Sequence, residues 1–165
     1  AQGVLELCQK IELQNVDIEL HIFGDGAEKS QIEDLIKQNP EKKIYFHGML
    51  ERHILHEKIK TFDIAIVPLK TRIYGSVPSK IFEYGALGFP VLYFGGGEGE
   101  TIVKENNLGW VAQVGNFESL NTTLIEISKT GKEPIQMMKK QVFDYAENHF
   151  DLDFQIKDLI QKNVF

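Results

Sequence analysis

The amino-acid sequence predicts an α/β fold, a doubly wound parallel sheet with helices on both faces and a helical C-terminal end. Short segments rich in β-branched and aromatic residues alternate with helical segments of about ten residues, which is typical of parallel strands joined by helices. Ligands of such sheets bind at the carboxyl ends of the strands. Four loops rich in glycine, proline or polar residues follow predicted strands, at residues 24–27, 47–51, 68–79 and 95–100.

Five segments are predicted as strands because they are short, apolar and rich in β-branched or aromatic residues. In chain order they are residues 17–24, 42–48, 63–69, 90–94 and 109–114. The alternation of these strands with helices predicts that all of them run parallel within one sheet.

Eight segments are predicted as helices. Residues 1–14 have amphipathic spacing, and the helix at 27–39 ends at Asn39-Pro40, where proline interrupts helical pairing. The helix at 78–87 is apolar almost all round, which predicts that it is buried. The other predicted helices are residues 51–60, 99–106, 116–130, 132–147 and 151–162.

Length and composition exclude several classes of protein. The chain has 165 residues, one domain's worth, and its net charge of −6 argues against a nucleic-acid partner. No apolar run approaches the roughly 20 residues of a membrane span, and no signal peptide opens the chain. The single cysteine, Cys8, lies on an apolar helix face and is predicted to be a buried thiol. We expect a cytoplasmic protein.

The first two loops carry weak signals. After Gly24 and Gly26, the third glycine of a dinucleotide fingerprint would fall at Lys29, so Asp25-Gly26 is more simply a tight turn. His47 and Gly48 end the next strand, where a histidine is more often a hydrogen-bonded structural residue than a catalyst.

No metal site is predicted. His53 and His56 are three residues apart on a predicted helix, but neither a carboxylate nor a cysteine accompanies them at ligand spacing.

The loop "YGSVPSK" (74–80) is the most informative. Ser76 is a candidate N-cap, and Pro78 fits the first turn of a helix. The amides of Ser79 and Lys80, with the positive end of the helix, would form an anion site.

Glu83 lies four residues beyond Ser79, about 6 Å along a helix. That offset is close to the distance from a phosphate to the ribose hydroxyls of a nucleotide, and a carboxylate accepts two hydroxyl donors at once. The alternative interpretation is a plain intrahelical ion pair between Lys80 and Glu83.

The loop "GGGEGE" (95–100) also has two interpretations. Carboxylates beside bare glycine amides suit sugar hydroxyls, which makes Gly96, Gly97, Glu98 and Glu100 candidate sugar-binding residues. Alternatively, it is a flexible loop with the acidic first turn that helices favour.

The segment "PSKIFEYGALGFPVLYFGGGEGETIVKENNLGWV" resembles the C-terminal half of retaining GT-B glycosyltransferases, those related to glycogen and sucrose synthases. Within that family it is most similar to bacterial enzymes that build capsule, O-antigen and exopolysaccharide. The resemblance covers about residues 1–130 and implies a Rossmann-like domain. The matching positions are Pro78, Lys80, Glu83, Gly88, Pro90, Val91, Gly96, Gly97, Glu100, Gly109 and Val111.

The resemblance implies a donor-binding domain whose substrate is a UDP- or GDP-sugar and which needs no further cofactor. It implies that the Glu83 carboxylate binds ribose, and it makes Lys80 and Glu83 the candidate catalytic residues. The nucleotide- and phosphate-binding positions are then Gly24, Gly26, His47, Gly48, Ser76, Val77, Pro78, Ser79, Lys80 and Glu83.

The chain departs from the family in two ways. Gly75 stands where many members have a glutamate near the donor sugar, and the basic pair that holds the pyrophosphate would lie before Ala1. We therefore expect residues 1–165 to be a single nucleotide-sugar-binding domain without its first strand and without the acceptor domain. Such a chain would be inactive alone. Either a preceding segment would supply the first strand, or the chain would dimerise or rearrange to cover the unpaired strand edges. The full enzyme would bind a glycan or lipid-linked acceptor, with peripheral contact at the inner face of the cell membrane.

Two rival functions fit parts of the pattern. A nucleotide-sugar epimerase shares the two-domain plan and would need no acceptor. A binding module such as a receiver domain would need an acidic cluster at its strand ends. Asp25 and Asp63 do not supply that cluster, because Asp63 starts its strand.

Overall fold

The computed structural model describes residues 3–72 and 74–150, and within them it has the α/β fold that the sequence predicts. The strands are β1 (Leu20–Ile22), β2 (Ile44–Phe46), β3 (Ala65–Pro68), β4 (Val91–Gly95) and β5 (Gly109–Gln113). Each lies inside or within a residue of its predicted segment, and every pair of neighbouring strands is parallel.

The helices follow the predicted order. They are α1 (Val4–Lys10), α2 (Lys29–Gln38), α3 (Arg52–Ile59), α4 (Ser79–Ala86), α5 (Glu98–Glu105), α6 (Phe117–Lys129) and α7 (Lys132–His149), with a short 3₁₀ turn at Pro40–Lys42. The helix predicted at residues 151–162 lies outside the described residues.

The predicted parallel pairing is confirmed, and within the described residues the strands form two ladders. β1 pairs with β2 in one sheet, and β3, β4 and β5 form a second sheet in that order. No ladder joins β1 to β3 among these residues.

Two hydrophobic cores cover the two faces of the strands. In β3, Ile66 belongs to the core beneath α1 and α6, whereas the next residue, Val67, belongs to the core beneath α4, α5 and α7. This alternation follows from the two-residue period of a strand. β4 is buried at all five positions, as expected of a parallel strand covered on both faces.

Helix α1 is held in place by its buried face and by Lys42, a residue of the 3₁₀ turn that contacts the C-terminal end of the helix. The Cys8 side chain is fully buried, which confirms the predicted structural thiol, and burial raises its pKa to about 11. Lys42 Nζ donates to the carbonyls of Cys8, Gln9 and Ile11 at 3.2, 2.7 and 3.4 Å. A cation at this helix end satisfies carbonyls that have no partner within the helix.

We predict that Lys42→Met lowers the free energy of unfolding by about 1–3 kcal/mol, because it removes charge-assisted hydrogen bonds and leaves part-buried carbonyls unpaired. The matched control is Lys37→Met, since the Lys37 side chain is 75% exposed and lies 3.9 Å from Asp34. The control should change stability by less than about 0.5 kcal/mol. Urea unfolding measures both, and equal effects would contradict the anchoring role of Lys42.

Candidate active site

The start of α4 lies at the carboxyl end of β3 and provides an open helix end. Pro78 is the N-cap, so the predicted cap at Ser76 is wrong: the helix starts later, and Ser76 is an exposed loop residue. The amide of Ile81 bonds to the Pro78 carbonyl at 3.1 Å. Among the described residues, the amides of Ser79 and Lys80 have no backbone acceptor. These free amides are what an anion site at this helix start requires, and anion binding there stays a prediction.

Three polar side chains meet on the first turn of α4. Ser79 Oγ donates to Glu83 Oε1 at 3.0 Å, and Lys80 Nζ contacts Glu83 Oε2 at 2.5 Å. The hydrogen bond from Lys80 lowers the pKa of Glu83, with a smaller contribution from Ser79. The same bond raises the pKa of Lys80. Both side chains are thus held in their charged forms.

The Lys80–Glu83 ion pair alone contributes little to stability. The two side chains are 43% and 51% exposed, and exposed pairs at this spacing contribute about 0.3–0.5 kcal/mol. Each carboxylate oxygen has two lone pairs, so Glu83 can accept further donors while keeping Ser79 and Lys80. The plain ion pair is present, and it does not exclude ligand binding by the same carboxylate.

The loop before α4 is tied to the start of α5. Glu98 Oε1 accepts a hydrogen bond from the Gly75 amide at 3.0 Å. Hydrogen bonds from its own amide and from Gly75, together with the charge of Arg72, lower the pKa of Glu98. Gly75 has φ +67°, a left-handed conformation that strains residues with a side chain. Position 75 is where many members of the family have a glutamate, and the glycine of this chain fits a backbone conformation that favours glycine.

The starts of α4 and α5 pack closely through Gly99. A Cβ atom at Gly99 would lie 2.7 Å from Tyr93 Oη and 3.0 Å from Ile81 Cδ1. The Tyr93 hydroxyl donates to the Gly96 carbonyl at 3.1 Å, which fixes the turn after β4. This contact places the glycine-rich loop beside the first turn of α4.

The prediction that the glycine loop leaves its backbone accessible is wrong for Gly96 and Gly97, which are both buried. The Arg72 side chain and Val114 pack over Gly96, where a Cβ would lie 3.1 Å from Arg72 Cγ and 3.3 Å from Val114 Cγ1. The loop instead exposes two carboxylate side chains. Glu98 is exposed, and Glu100 is partly exposed and forms an ion pair with Lys104 at 2.7 Å.

Arg72 is a site residue that the sequence reasoning missed. Its guanidinium lies 5.3 Å from the centre of the Tyr74 ring, and Tyr74 is 77% exposed. The sequence does contain a signal for Arg72, because it is a cation in the glycine- and proline-containing loop that follows β3. Lys80 on α4 is one positive charge of the candidate site, and Arg72 is a second. Arg72 lies near the first turn of α5, where its charge helps to lower the pKa of Glu98.

The loops after β1 and β2 meet each other. The Gly24 amide donates to the Gly48 carbonyl at 2.9 Å, continuing the β1–β2 ladder. Asp25 Oδ1 accepts from the Gly26 amide at 2.9 Å, and the Lys29 amide bonds to the Gly26 carbonyl at 3.1 Å. This is the tight turn that the sequence predicted. It leads directly into α2.

His47 is held in a chain of polar side chains. Its Nδ1 lies 3.2 Å from Lys58 Nζ, and its Nε2 lies 2.9 Å from His21 Nδ1. Because Lys58 can only donate, His47 accepts at Nδ1 and donates from Nε2. His21 Nε2 in turn lies 3.3 Å from Glu19 Oε2. Burial, then Lys58 and His21, lower the pKa of His47. Both ring nitrogens of His47 therefore have protein partners.

The site residues that the sequence predicted form two groups. The start of α4 (Ser76, Val77, Pro78, Ser79, Lys80, Glu83) and the start of α5 (Gly96, Gly97, Glu98, Glu100) are brought together through Gly75 and Gly99. Gly24, Gly26, His47 and Gly48 lie at the ends of β1 and β2. Within residues 3–72 and 74–150, no hydrogen bond or ion pair links that group to Lys80 or Glu83.

Within the described residues, no group of three or more histidine, cysteine, aspartate or glutamate side chains is placed to hold a metal ion. No helix in this part of the chain is long and apolar enough to span a bilayer.

A parallel sheet with loops, an open helix start and charged side chains at its carboxyl edge defines the class of α/β domains that bind ligands at their strand ends. The chain belongs to the family "glycosyl transferases group 1", whose model matches residues 1–142. No curated protein sequence matches it at a significant level.

Solved glycosyltransferases share the fold. WaaG, "a glycosyltransferase involved in lipopolysaccharide biosynthesis", has a TM-score of 0.67 and 18% identity over 90% of this chain and 40% of its own. HepE of Anabaena, solved with UDP and glucose, has a TM-score of 0.70 and 16% identity over 99% and 44%. The lipopolysaccharide outer core galactosyltransferase WaaB, in its apo form, has a TM-score of 0.58 and 18% identity over 93% and 45%.

These similarities establish the fold as that of the Rossmann-like C-terminal domain of GT-B glycosyltransferases. The chain spans less than half the length of each of these three structures: 40%, 44% and 45%.

We predict that His47 makes stability depend on pH. The folded state keeps His47 neutral, whereas the unfolded state protonates near its usual pKa of about 6.5. As pH falls below that value the unfolded state binds the additional proton, so stability should fall. Thermal melts of wild type and His47→Gln between about pH 7.5 and 5.5 test this. Over this range the melting temperature of the variant should fall less than that of wild type. His53→Gln is the control, since its side chain is 76% exposed. An unchanged pH profile in His47→Gln would contradict the prediction.

Proposed function

We propose that this chain is the donor-binding half of a retaining glycosyltransferase, which moves a sugar from a UDP- or GDP-sugar to an acceptor hydroxyl in bacterial surface polysaccharide synthesis. The observation that carries the proposal is the exposed Ser79–Lys80–Glu83 cluster on an open helix start, in a chain of the glycosyltransferase group 1 family. The cluster offers amide donors, a cation and a carboxylate within one turn. A nucleoside diphosphate needs all three.

The pyrophosphate of the donor would bind the amides of Ser79 and Lys80 and the Lys80 ammonium. Helix starts favour such anions because their amides and the helix dipole both point at the ligand. Glu83 would accept hydrogen bonds from the 2′- and 3′-hydroxyls of the ribose. Ser76, Val77 and Pro78 form the loop along which the phosphates approach, and Arg72 adds positive charge from the neighbouring loop.

The reaction breaks the bond between the anomeric carbon and the donor phosphate and forms a bond from that carbon to the acceptor oxygen. The acceptor loses its proton, and the nucleoside diphosphate leaves with an additional negative charge. Lys80 and the amides of the α4 start would stabilise that charge, the largest contribution in many active sites. The new bond forms on the same face of the sugar as the old one, as in retaining enzymes.

The sugar would lie near the start of α5. Glu98 and Glu100 are carboxylates at this helix start, and Glu98 uses one oxygen to hold the Gly75 amide while its other oxygen can accept from a sugar hydroxyl. Gly96 and Gly97 shape the turn that positions these side chains. Gly24, Gly26, His47 and Gly48 would contribute to the nucleotide side of the same edge. No cofactor beyond the donor is proposed.

The acceptor, a glycan or lipid-linked sugar, would bind to the rest of a longer protein. This is supported by the coverage of the solved glycosyltransferases, of which the chain spans 40–45%. WaaG is involved in lipopolysaccharide biosynthesis and WaaB is a lipopolysaccharide outer core galactosyltransferase, which favours a surface polysaccharide as the product. The UDP and glucose bound to HepE favour a UDP-sugar as the donor. We place the full enzyme in the cytoplasm, at the inner face of the membrane.

We predict that Glu83→Gln weakens UDP binding about ten- to hundred-fold, because hydrogen bonds to a charged group are worth about 1.5–3 kcal/mol. Thermal stability should change little. Isothermal titration with UDP measures the first, and thermal melts measure the second. The control is Glu6→Gln, which removes another exposed helical ion pair, Glu6–Lys10 at 2.7 Å. It should change stability as little as Glu83→Gln and leave UDP affinity intact.

A second titration identifies the part of the ligand that Glu83 binds. With 2′,3′-dideoxy-UDP, wild type and Glu83→Gln should bind alike, because the hydroxyls that Glu83 accepts are gone. Two results would overturn the assignment: an affinity loss that persists with the dideoxy ligand, or a lower melting temperature with unchanged UDP affinity. The latter would show that the pair has a purely structural role.

A further inference from the structure

Tyr74 presents an aromatic ring to solvent at the carboxyl edge of the three-stranded sheet. This residue is 77% exposed, whereas Tyr45 and Phe143 are 43% and 42% exposed. It lies in the loop between β3 and α4, four residues before the N-cap Pro78. Aromatic side chains usually bury most of their large apolar surface. A single exposed ring needs no special explanation, but this one lies at the edge where α/β sheets bind their ligands.

Arg72 supports one face of this ring. The guanidinium carbon lies 5.3 Å from the centre of the Tyr74 ring, within the range of about 6 Å for a cation–π contact. The stem of Arg72 is packed in turn over Gly96, where a Cβ atom would lie 3.1 Å from Arg72 Cγ. A planar guanidinium on a packed stem restricts the tilt of the ring that it contacts. Because most of Tyr74 is exposed, the other face of the ring is open to a ligand.

The backbone beside Tyr74 is also fixed. The next residue, Gly75, donates its amide to Glu98 Oε1 at 3.0 Å and has a φ of +67°. Apart from its two chain neighbours, no atom of the described residues lies within 4 Å of the point where a Gly75 Cβ would stand. Glycine at this position therefore leaves open space beside the ring. The ring, the space and the exposed Glu98 carboxylate lie together on a loop that is tied to α5.

An aromatic face, open space and a carboxylate are the groups that recognise a pyranose ring. One face of a sugar ring carries mostly C–H groups, which match the apolar and weakly negative face of an aromatic ring. Hydroxyls project from the edge of the sugar, where a carboxylate accepts their hydrogen bonds. A free inorganic anion would instead be repelled by Glu98. The chemistry beside Tyr74 therefore favours a carbohydrate.

The position of Tyr74 indicates which part of a nucleotide-sugar it would contact. In the proposed binding mode, ribose lies at Glu83 and the pyrophosphate lies at the amides of Ser79 and Lys80. Tyr74 lies on the other side of those amides along the chain, and Gly75 ties it to the start of α5. In a nucleotide-sugar, the pyrophosphate separates the ribose from the sugar. The group that reaches Tyr74 is then the sugar.

We propose that Tyr74 is a stacking platform for the pyranose ring of the donor sugar, and that Arg72 is the positioning residue that holds this platform. The inference rests on the proposed function, because it assigns a further specificity-determining residue of the same site. Glu98 would accept hydroxyls at the edge of the stacked sugar with the oxygen that does not bind Gly75. Tyr74 would thus contribute to affinity for the sugar and not to affinity for the nucleotide alone.

Isothermal titration of the 165-residue chain with UDP and with UDP-glucose separates these two contributions. Tyr74→Ala should weaken binding of UDP-glucose about twofold to tenfold and leave binding of UDP unchanged. Tyr74→Phe keeps the ring and should bind both ligands as wild type does. The matched control is Met137→Ala, because Met137 is 74% exposed on α7. It should change neither affinity.

A double-mutant cycle tests the positioning role of Arg72. Arg72→Lys keeps the positive charge but loses the planar guanidinium. It should lower the ratio of UDP-glucose affinity to UDP affinity, by less than Tyr74→Ala does. Combined with Tyr74→Ala, it should lower this ratio no further, because the ring that it positions is absent. A purely structural role of Arg72 would give the same loss in both backgrounds and with both ligands.

Several results would overturn the inference while the proposed function stands. They are equal weakening of UDP and UDP-glucose by Tyr74→Ala, no weakening of either ligand, or a loss in Tyr74→Phe as large as in Tyr74→Ala. Additive effects of Tyr74→Ala and Arg72→Lys on UDP-glucose binding would overturn the role of Arg72. If wild type binds neither UDP nor UDP-glucose, the proposed function fails and this inference fails with it.

Discussion

Strand β4 and its pairing with β3 and β5 are the constraint on which the rest of the molecule depends. All five residues of β4 are buried, so each backbone polar group there must find its partner in a neighbouring strand. Parallel pairing aligns the carboxyl ends of the three strands. The Tyr93 side chain then fixes the turn after β4, and Gly99 brings the start of α5 against Ile81 of α4. The polar cluster on α4 therefore lies at an edge set by the core.

The candidate site is exposed, in contrast to the core that positions it. Lys80 and Glu83 hold each other in their charged forms, yet their ion pair contributes little to folding because both side chains face solvent. The same groups are therefore available to a ligand at small cost in stability. Glu98 differs, since its carboxylate joins two loops by accepting the Gly75 amide. One carboxylate shapes the candidate site, and the other is the one that we propose binds the ligand.

The described strands form two separate ladders that share one hydrophobic core. β1 and β2 hold together through their own ladder and through the core beneath α1 and α6, whereas β3 has a backbone edge with no strand beside it. Hydrophobic packing alone can keep the two parts side by side, because it is non-directional. It cannot satisfy the amides and carbonyls at the two edges.

The order of strands and helices could be predicted from local pattern, because side-chain period and segment length depend on only a few neighbouring residues. The spacing of Ser79, Lys80 and Glu83 likewise follows from helix geometry, as does the burial of Cys8. Three features could not be predicted this way. The burial of Gly96 beneath Arg72, the tie between Gly75 and Glu98 and the packing of Gly99 against Ile81 each join segments far apart in the chain. Their positions depend on long-range packing and strand pairing, which are properties of the assembled core.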